Sequence, residues 1–108
     1  MTNFKVYHSA RFNRELSKLG VDFQRRVDKI EDEISENPYT GKPLNVKWFR
    51  EKRYGSHRIY YLVYEDLKSV IFVGISDKDN QQQVINTIRL LFSYFREEIE
   101  KLLEKDFD

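Results

Sequence analysis

The stretch 48-WFREKRYGSHRIYYLVYE-65 decides how this chain folds. Its halves, Trp48 to Arg53 and Arg58 to Tyr64, are rich in aromatic and β-branched residues. They flank Tyr54-Gly55-Ser56-His57, so the whole reads as a β-hairpin. Lys42, Lys47, Arg50, Lys52, Arg53 and Arg58 crowd into it and its approach, and the only acid among them is Glu51. The chain as a whole is nearly neutral, with Lys+Arg 19 against Asp+Glu 18. Positive charge is therefore concentrated rather than plentiful. Concentrated charge on a rigid hairpin fits a polyanionic partner, nucleic acid first. A solvated hairpin crossed by ion pairs is the alternative.

Turn length decides how the cations group. A two-residue loop puts Glu51, Arg53, Arg58 and Tyr60 on one face, with Glu51 able to neutralise Arg58 across the strands. A three-residue loop gathers Arg50, Lys52, Arg58 and Tyr60 instead, a strongly cationic face with an aromatic for base stacking. Both registers are open at the level of sequence.

Upstream, Phe4 to Tyr7 alternates as a short strand, and Ser9 is a natural N-cap for a first helix. Phe12, Leu16 and Leu19 share one face of that helix, which Gly20 ends. Asp22 caps a second helix carrying Phe23, Val27, Ile30 and Ile34, and Asn37-Pro38 stops it. Pro38 to Pro43 reads as a loop. Downstream, Val70 to Ile75 is an apolar strand buried on both faces, near the sheet centre. A single helix runs from about Gln81 to Leu103, with Val84, Ile88, Leu91, Phe95, Ile99 and Leu102 as its stripe. The order is β-α-α-β-β-β-α. The class is α+β: an antiparallel sheet with two N-terminal helices packed on it and an extended C-terminal helix, 81–108, ending in an acidic tail.

At 108 residues this is the size of one domain, 1–108, with 40% apolar and 15% aromatic residues to build its core. With no cysteine there is neither a disulfide framework nor a thiolate site, which fits a cytoplasmic protein. No apolar run approaches the roughly 20 residues of a membrane span, and the first residues lack the apolar run of a signal peptide. No His/Cys/Asp cluster has metal spacing, and no glycine-rich phosphate loop is present, so neither metal nor cofactor is expected. His57, adjacent to Arg58, points to the opposite face of a regular strand and reads as a solvated turn residue. His8 carries no expected chemistry, and Trp48 reads as a core anchor.

Three phrases carry a resemblance: Ala10-Arg11-Phe12…Glu15-Leu16…Leu19, Asn37-Pro38…Gly41-Lys42-Pro43-Leu44, and Phe49-Arg50-Glu51-Lys52-Arg53-Tyr54-Gly55-Ser56-His57-Arg58-Ile59-Tyr60-Tyr61. In order and spacing, over about residues 4 to 75, the chain resembles the RelE/ParE superfamily of toxin–antitoxin toxins. The RelE type is a metal-independent endoribonuclease (mRNA interferase) that cuts messenger RNA, usually on the ribosome. The ParE type poisons DNA gyrase. Both are silenced by an antitoxin protein, which the resemblance makes the expected partner.

RNA cleavage of the RelE kind needs a proton taken from the 2′-hydroxyl, charge stabilised on the phosphate and a proton given to the departing 5′-oxygen. By resemblance, Arg58 matches the arginine after the turn and would stabilise the phosphate, because guanidinium is planar, bidentate and always charged. Arg53 matches a basic position before the turn, and Lys78 one after the last strand. Lys47, Arg50, Lys52, Arg53, Arg58 and Tyr60 form the expected RNA-binding set. The chain departs from the family where lysines are expected on the strand before the turn, which reads Phe49 and Glu51 here. It departs again at an arginine and a tyrosine further on, which read Asp79 and Ile85. The resemblance thus implies a toxin with weakened RNA chemistry, or a ParE-like or degenerate one that only binds. The long final helix, roughly 35 Å at about 1.5 Å per residue, would project Ile99, Leu102 and Leu103 beyond the core. They would form a docking surface for an antitoxin or a homodimer, unless its end folds back over the first two helices.

Overall fold

The computed structural model describes residues 3–107, and its architecture is α+β. Strand β1, Lys5–His8, leads into helix α1, Ala10–Ser17. Ser9 is fully buried, and its Oγ accepts the Phe12 N–H at 3.0 Å. It thereby satisfies one of the orphan donors of the first turn. Helix α2, Val21–Glu36, starts from Gly20 rather than from Asp22. Gly20 has a φ of −69°, so it is an extended residue before α2 and not a left-handed cap of α1, which already ends at Ser17. Asp22 sits within the first turn of α2, where its charge complements the positive end of the helix dipole. Asn37 is extended before Pro38 and stops α2 as expected.

Four more strands follow: β2 (Lys42–Leu44), β3 (Val46–Tyr54), β4 (His57–Tyr64) and β5 (Ser69–Asp77). Their order is β1-β5-β4-β3-β2. The sheet is mixed rather than purely antiparallel, because β1 lies parallel to β5. Strand β2 occupies part of the expected loop, its Lys42 and Pro43 pairing with Glu51 and Arg50. Three residues with a proline among them carry too little pattern to read as a strand. The β3–β4 turn has two residues, Gly55 and Ser56, since Tyr54 pairs with His57 and Arg53 with Arg58. Gly55 has a φ of +56°, a conformation glycine takes without a Cβ penalty.

Helices cover both faces of this sheet. On one face, Phe12, Phe23, Val27, Ile30 and Ile34 of α1 and α2 pack on Ile59, Tyr61, Val70 and Phe72. On the other, Ile85, Ile88, Phe95 and Ile99 pack on Phe49, Tyr60, Leu62, Ile71 and Val73. Consecutive residues of β4 and β5 are buried, so neither face can be left to water.

The expected continuous C-terminal helix is two helices, α3 (Gln81–Leu90) and α4 (Phe92–Phe107). The break is at Leu91, with φ −108° and ψ 14°. Burial drives it: a straight helix would carry its second half past the small sheet, whereas the bend returns Phe95 and Ile99 to full burial. The end of α4 is therefore not a projecting seam. Leu102 and Leu103 pack against the same cluster. Asp106 accepts a hydrogen bond from the Tyr7 hydroxyl on β1, and Glu98 accepts one from the Ala10 N–H at 2.8 Å. The helix folds back over the sheet face opposite α1 and α2, so Ile99, Leu102 and Leu103 do not project beyond the core as expected. Trp48 is no core anchor either: it is 39% exposed and meets Phe92 edge-on.

His8, for which no role was expected, is half-buried between Phe12 and Phe72. It contacts Glu31 of α2 through Nε2 and Asn13 of α1 through Nδ1 at 2.8 Å. Burial disfavours its charged form, but the Glu31 carboxylate outweighs this, and the imidazole pKa is raised above its ordinary value.

This packing makes the stability of the fold depend on pH. A His raised in the folded state stabilises fully below its unfolded pKa, and this is lost as pH rises through the folded value. The thermal midpoint should therefore fall as pH is raised from about 6.5 upward. Glu31→Gln should flatten that dependence in a pH series of melts. Ile99→Ala should cost about 2–5 kcal/mol in urea unfolding. Truncation after Arg96, which removes Ile99, Leu102 and Leu103, should cost more and leave little folded protein by circular dichroism.

Candidate nucleic-acid interface

The two-residue turn groups Glu51, Arg53, Arg58 and Tyr60 on the sheet face covered by α3 and α4. Arg50 and Lys52 fall on the face covered by α1 and α2. The cationic set drawn from the sequence therefore divides.

Arg50 leaves it for the interior. It is 8% exposed, and its Nε, Nη1 and Nη2 donate to the carbonyls of Gly41, Lys47 and Tyr39 at 3.0, 2.9 and 2.9 Å. The guanidinium also stacks on the Tyr39 ring. Next to it the Tyr61 hydroxyl donates to Pro38 O at 2.7 Å and accepts the Gly41 N–H at 3.1 Å. A Cβ on Gly41 would lie 2.5 Å from Glu51 O and 2.6 Å from the Tyr61 hydroxyl, so only glycine fits there. Arg50 fastens the 38–47 segment to the sheet and is committed to it rather than to phosphate. Lys52 is half-buried and paired with Glu33 of α2 at 3.1 Å. Tyr60 is fully buried, its hydroxyl 2.8 Å from Ser76 Oγ, so its ring offers no stacking platform. Burial chiefly, with Glu51 adding, raises its pKa against the Ser76 hydrogen bond and Arg58, so it keeps its proton near neutrality.

Arg53 and Arg58 remain, directly opposite on β3 and β4. Like charges facing across strands are destabilising unless an anion sits between or beside them. Among the described residues neither makes an ion pair within 4.0 Å. Glu51 is buried and turned to the Gln81 amide at 3.4 Å, so it does not neutralise Arg58 by direct contact. Arg58 donates one long bond, Nη1 to Ser56 O at 3.4 Å, and its buried Nε has no partner among the described residues. Lys78 is exposed in the bend after β5, where Asp77 Oδ1 accepts the N–H groups of Asp79 and Asn80. Asp79 is exposed beside it, whereas Ile85 is buried in the core. Lys47 is exposed and lies over the Tyr39 ring at 4.8 Å.

His57 projects to the other face, as strand alternation requires, and packs against Phe23 rather than standing in solvent. A concavity of about 790 Å³ lies away from the arginine pair. It is lined by Trp48, Val63, Tyr64 and Phe92 with charges of both signs, and of the expected RNA-binding residues it includes only Lys47. No cluster of three or more His, Cys, Asp or Glu among the described residues is arranged to hold a metal ion. No helix among them is long and apolar enough to cross a membrane.

No protein-family profile matches the sequence, and no curated protein matches it. Solved structures do. An arginine double mutant of Escherichia coli toxin RelE in the free state superimposes with a TM-score of 0.67 at 21% identity, over 80% of this chain and 93% of that one. The RelBE2 toxin–antitoxin complex of Mycobacterium tuberculosis gives 0.64 at 22% identity, over 72% and 94%. The archaeal RelE–RelB complex of Pyrococcus horikoshii gives 0.64 at 19% identity, over 72% and 97%. The chain thus spans nearly the whole of each neighbour while sharing about a fifth of its residues, and its fold is that of the RelE toxins.

Proposed function

We propose that the chain is the toxin of a toxin–antitoxin pair, a RelE-like inhibitor of translation that acts on mRNA and is held silent by an antitoxin protein in the same cytoplasm. The observation that carries this is the Arg53–Arg58 pair: two arginines without an ion pair among the described residues are cross-strand partners on one face of the hairpin, in a fold shared with RelE toxins. Several of those toxins were solved with RelB antitoxin bound. A bidentate, permanently charged pair suits a phosphate whose negative charge grows during cleavage. In this reading Arg58 holds the phosphate, Arg53 adds the second cation, and Lys78, on its long flexible stem, supplies a further cation from the β5 end.

Proton transfer is the weak part of this machinery. Tyr60 keeps its proton, Ile85 has none to give, and Glu51 is buried among Tyr60 and Gln81. RNA should therefore be bound better than it is cut. The same residues favour a second reading, a non-enzymatic binder, either a ParE-like inhibitor of DNA gyrase or a degenerate toxin that retains only its antitoxin.

Induced expression with separate labelling of protein and DNA synthesis distinguishes them. Protein synthesis should stop first, with cuts in translated messages. Arg58→Ala should relieve the arrest while leaving the thermal midpoint within about 2 °C, since the side chain gives up only one long hydrogen bond and a repulsion from Arg53. DNA synthesis stopping first, with messages intact, would establish the gyrase reading instead.

A further inference from the structure

Past Phe72, the outer edge of β5 has no strand beside it, because β1 pairs only with Ser69–Phe72. The next outward N–H groups are closed by side chains: Ile75 N–H donates to Glu15 Oε2 at 3.3 Å, and Asp77 N–H to Asn80 Oδ1 at 3.0 Å. This edge is thus blocked to a pairing strand. Helix α1 stands on one side of it and α3 on the other, leaving a predominantly polar cleft of about 410 Å³. Arg11, Arg14 and Lys18 form the α1 wall; Asn80, Gln83 and Thr87 form the α3 wall. A smaller cavity of about 240 Å³ shares Glu15, Lys18, Ile75 and Asn80 with it and continues to His57 and Asp77, at the base of the hairpin turn.

The charge balance of the cleft is positive. Glu15 is the acid on its α1 wall, and both its oxygens are engaged, by Arg11 Nε at 3.4 Å and by Ile75 N–H. Arg14 and Lys18 make no ion pair among the described residues. Asp77 stands at the turn end, with one carboxylate oxygen taken by two backbone N–H groups. The opposite wall offers amides and a hydroxyl, groups that pair with sugar hydroxyls and base edges without adding charge.

We propose that this cleft is a second phosphate track, which takes the backbone of the same single-stranded RNA whose reacting phosphate lies at Arg53 and Arg58. The inference rests on the reading of the arginine pair as an RNA site and extends it around the end of the sheet. Continuity decides for nucleic acid over an acidic protein segment: the smaller cavity is also lined by Ser76, the cross-strand partner of Arg58, and a chain of regularly spaced phosphates matches cations at both ends.

The test is fluorescence anisotropy on the purified full chain with labelled uridine tetranucleotide and dodecanucleotide. The double substitution Arg14→Ala and Lys18→Ala should weaken the dodecanucleotide about tenfold and leave the tetranucleotide unchanged. Losing two contacts should also lower the slope of log affinity against log salt by roughly 1.4. The charge-conserving exchange, Arg14→Lys with Lys18→Arg, should keep both affinity and slope near those of the unsubstituted chain. Arg53→Ala with Arg58→Ala should weaken both oligonucleotides. Should the first double variant fold poorly, Gln83→Glu on the opposite wall must give the same length-selective loss. Unchanged dodecanucleotide affinity and salt slope, with the arginine-pair variant still defective, would overturn the second track and leave the site itself standing. Displacement of the dodecanucleotide by polyglutamate as readily as by unlabelled RNA would overturn it in favour of an acidic protein segment. Failure of the unsubstituted chain to bind either RNA would overturn the site and the track together.

Discussion

The register of β3 against β4, set by a two-residue turn at Gly55-Ser56, is the constraint on which the rest depends. Side chains alternate along a strand with a period of two, so a slip of one residue would exchange every side chain of β3 between faces. In the observed register Phe49 meets the α3–α4 core, and Arg50 turns toward the 38–47 segment. Glu51, Arg53 and Arg58 share a face, and Lys52 is directed to Glu33. Slipped by one, the register would bring a guanidinium into the apolar cluster and leave three backbone carbonyls without their donor. Each loss is costly because a buried polar group gives up its water on folding.

Arg50 shows how this constraint spreads. Its three nitrogens hold Tyr39, Gly41 and Lys47, and Tyr61 holds Pro38 and Gly41 from the adjacent strand. The segment they fasten contains β2, which pairs with β3 although it is too short to be stable by itself. A residue that composition assigns to a nucleic-acid surface is thus a structural bolt. Charge alone does not separate the two roles. Burial does, together with the availability of carbonyl acceptors at hydrogen-bond distance.

The same sorting leaves the arginine pair without partners of this kind. Arg53 and Arg58 face each other without an acid to pair with, and Glu51, on the same strand face as Arg53, is drawn to Gln81. That arrangement opposes folding slightly and favours an anion. Helix α3 contributes to both sides of this balance. Gln81 holds Glu51, and Ile85 fills the core beneath with a side chain that cannot move a proton.

Local pattern was enough for the element types and much of their order. The period of Phe23, Val27, Ile30 and Ile34 makes an amphipathic helix wherever it packs, Ser9 caps because its side chain reaches its own helix, and Asn37-Pro38 ends α2 by steric clash. Those effects act within a few residues, so they are written in the sequence, as are the hairpin and the α+β class. The break at Leu91, the parallel pairing of β1 with β5 and the helices on both faces were not legible. Each arises from fitting distant segments against one another: Phe95 and Ile99 are buried only if the helix bends, and nothing in its own periodicity requires that. The same holds for the site. The cluster of cations was plain from the chain, but which of them face the solvent was decided by turn register and by partners far away in sequence, Arg50 by the carbonyls of the 38–47 segment and Lys52 by Glu33. A side chain's charge is a property of its residue, whereas its freedom to meet a ligand depends on what the fold packs around it.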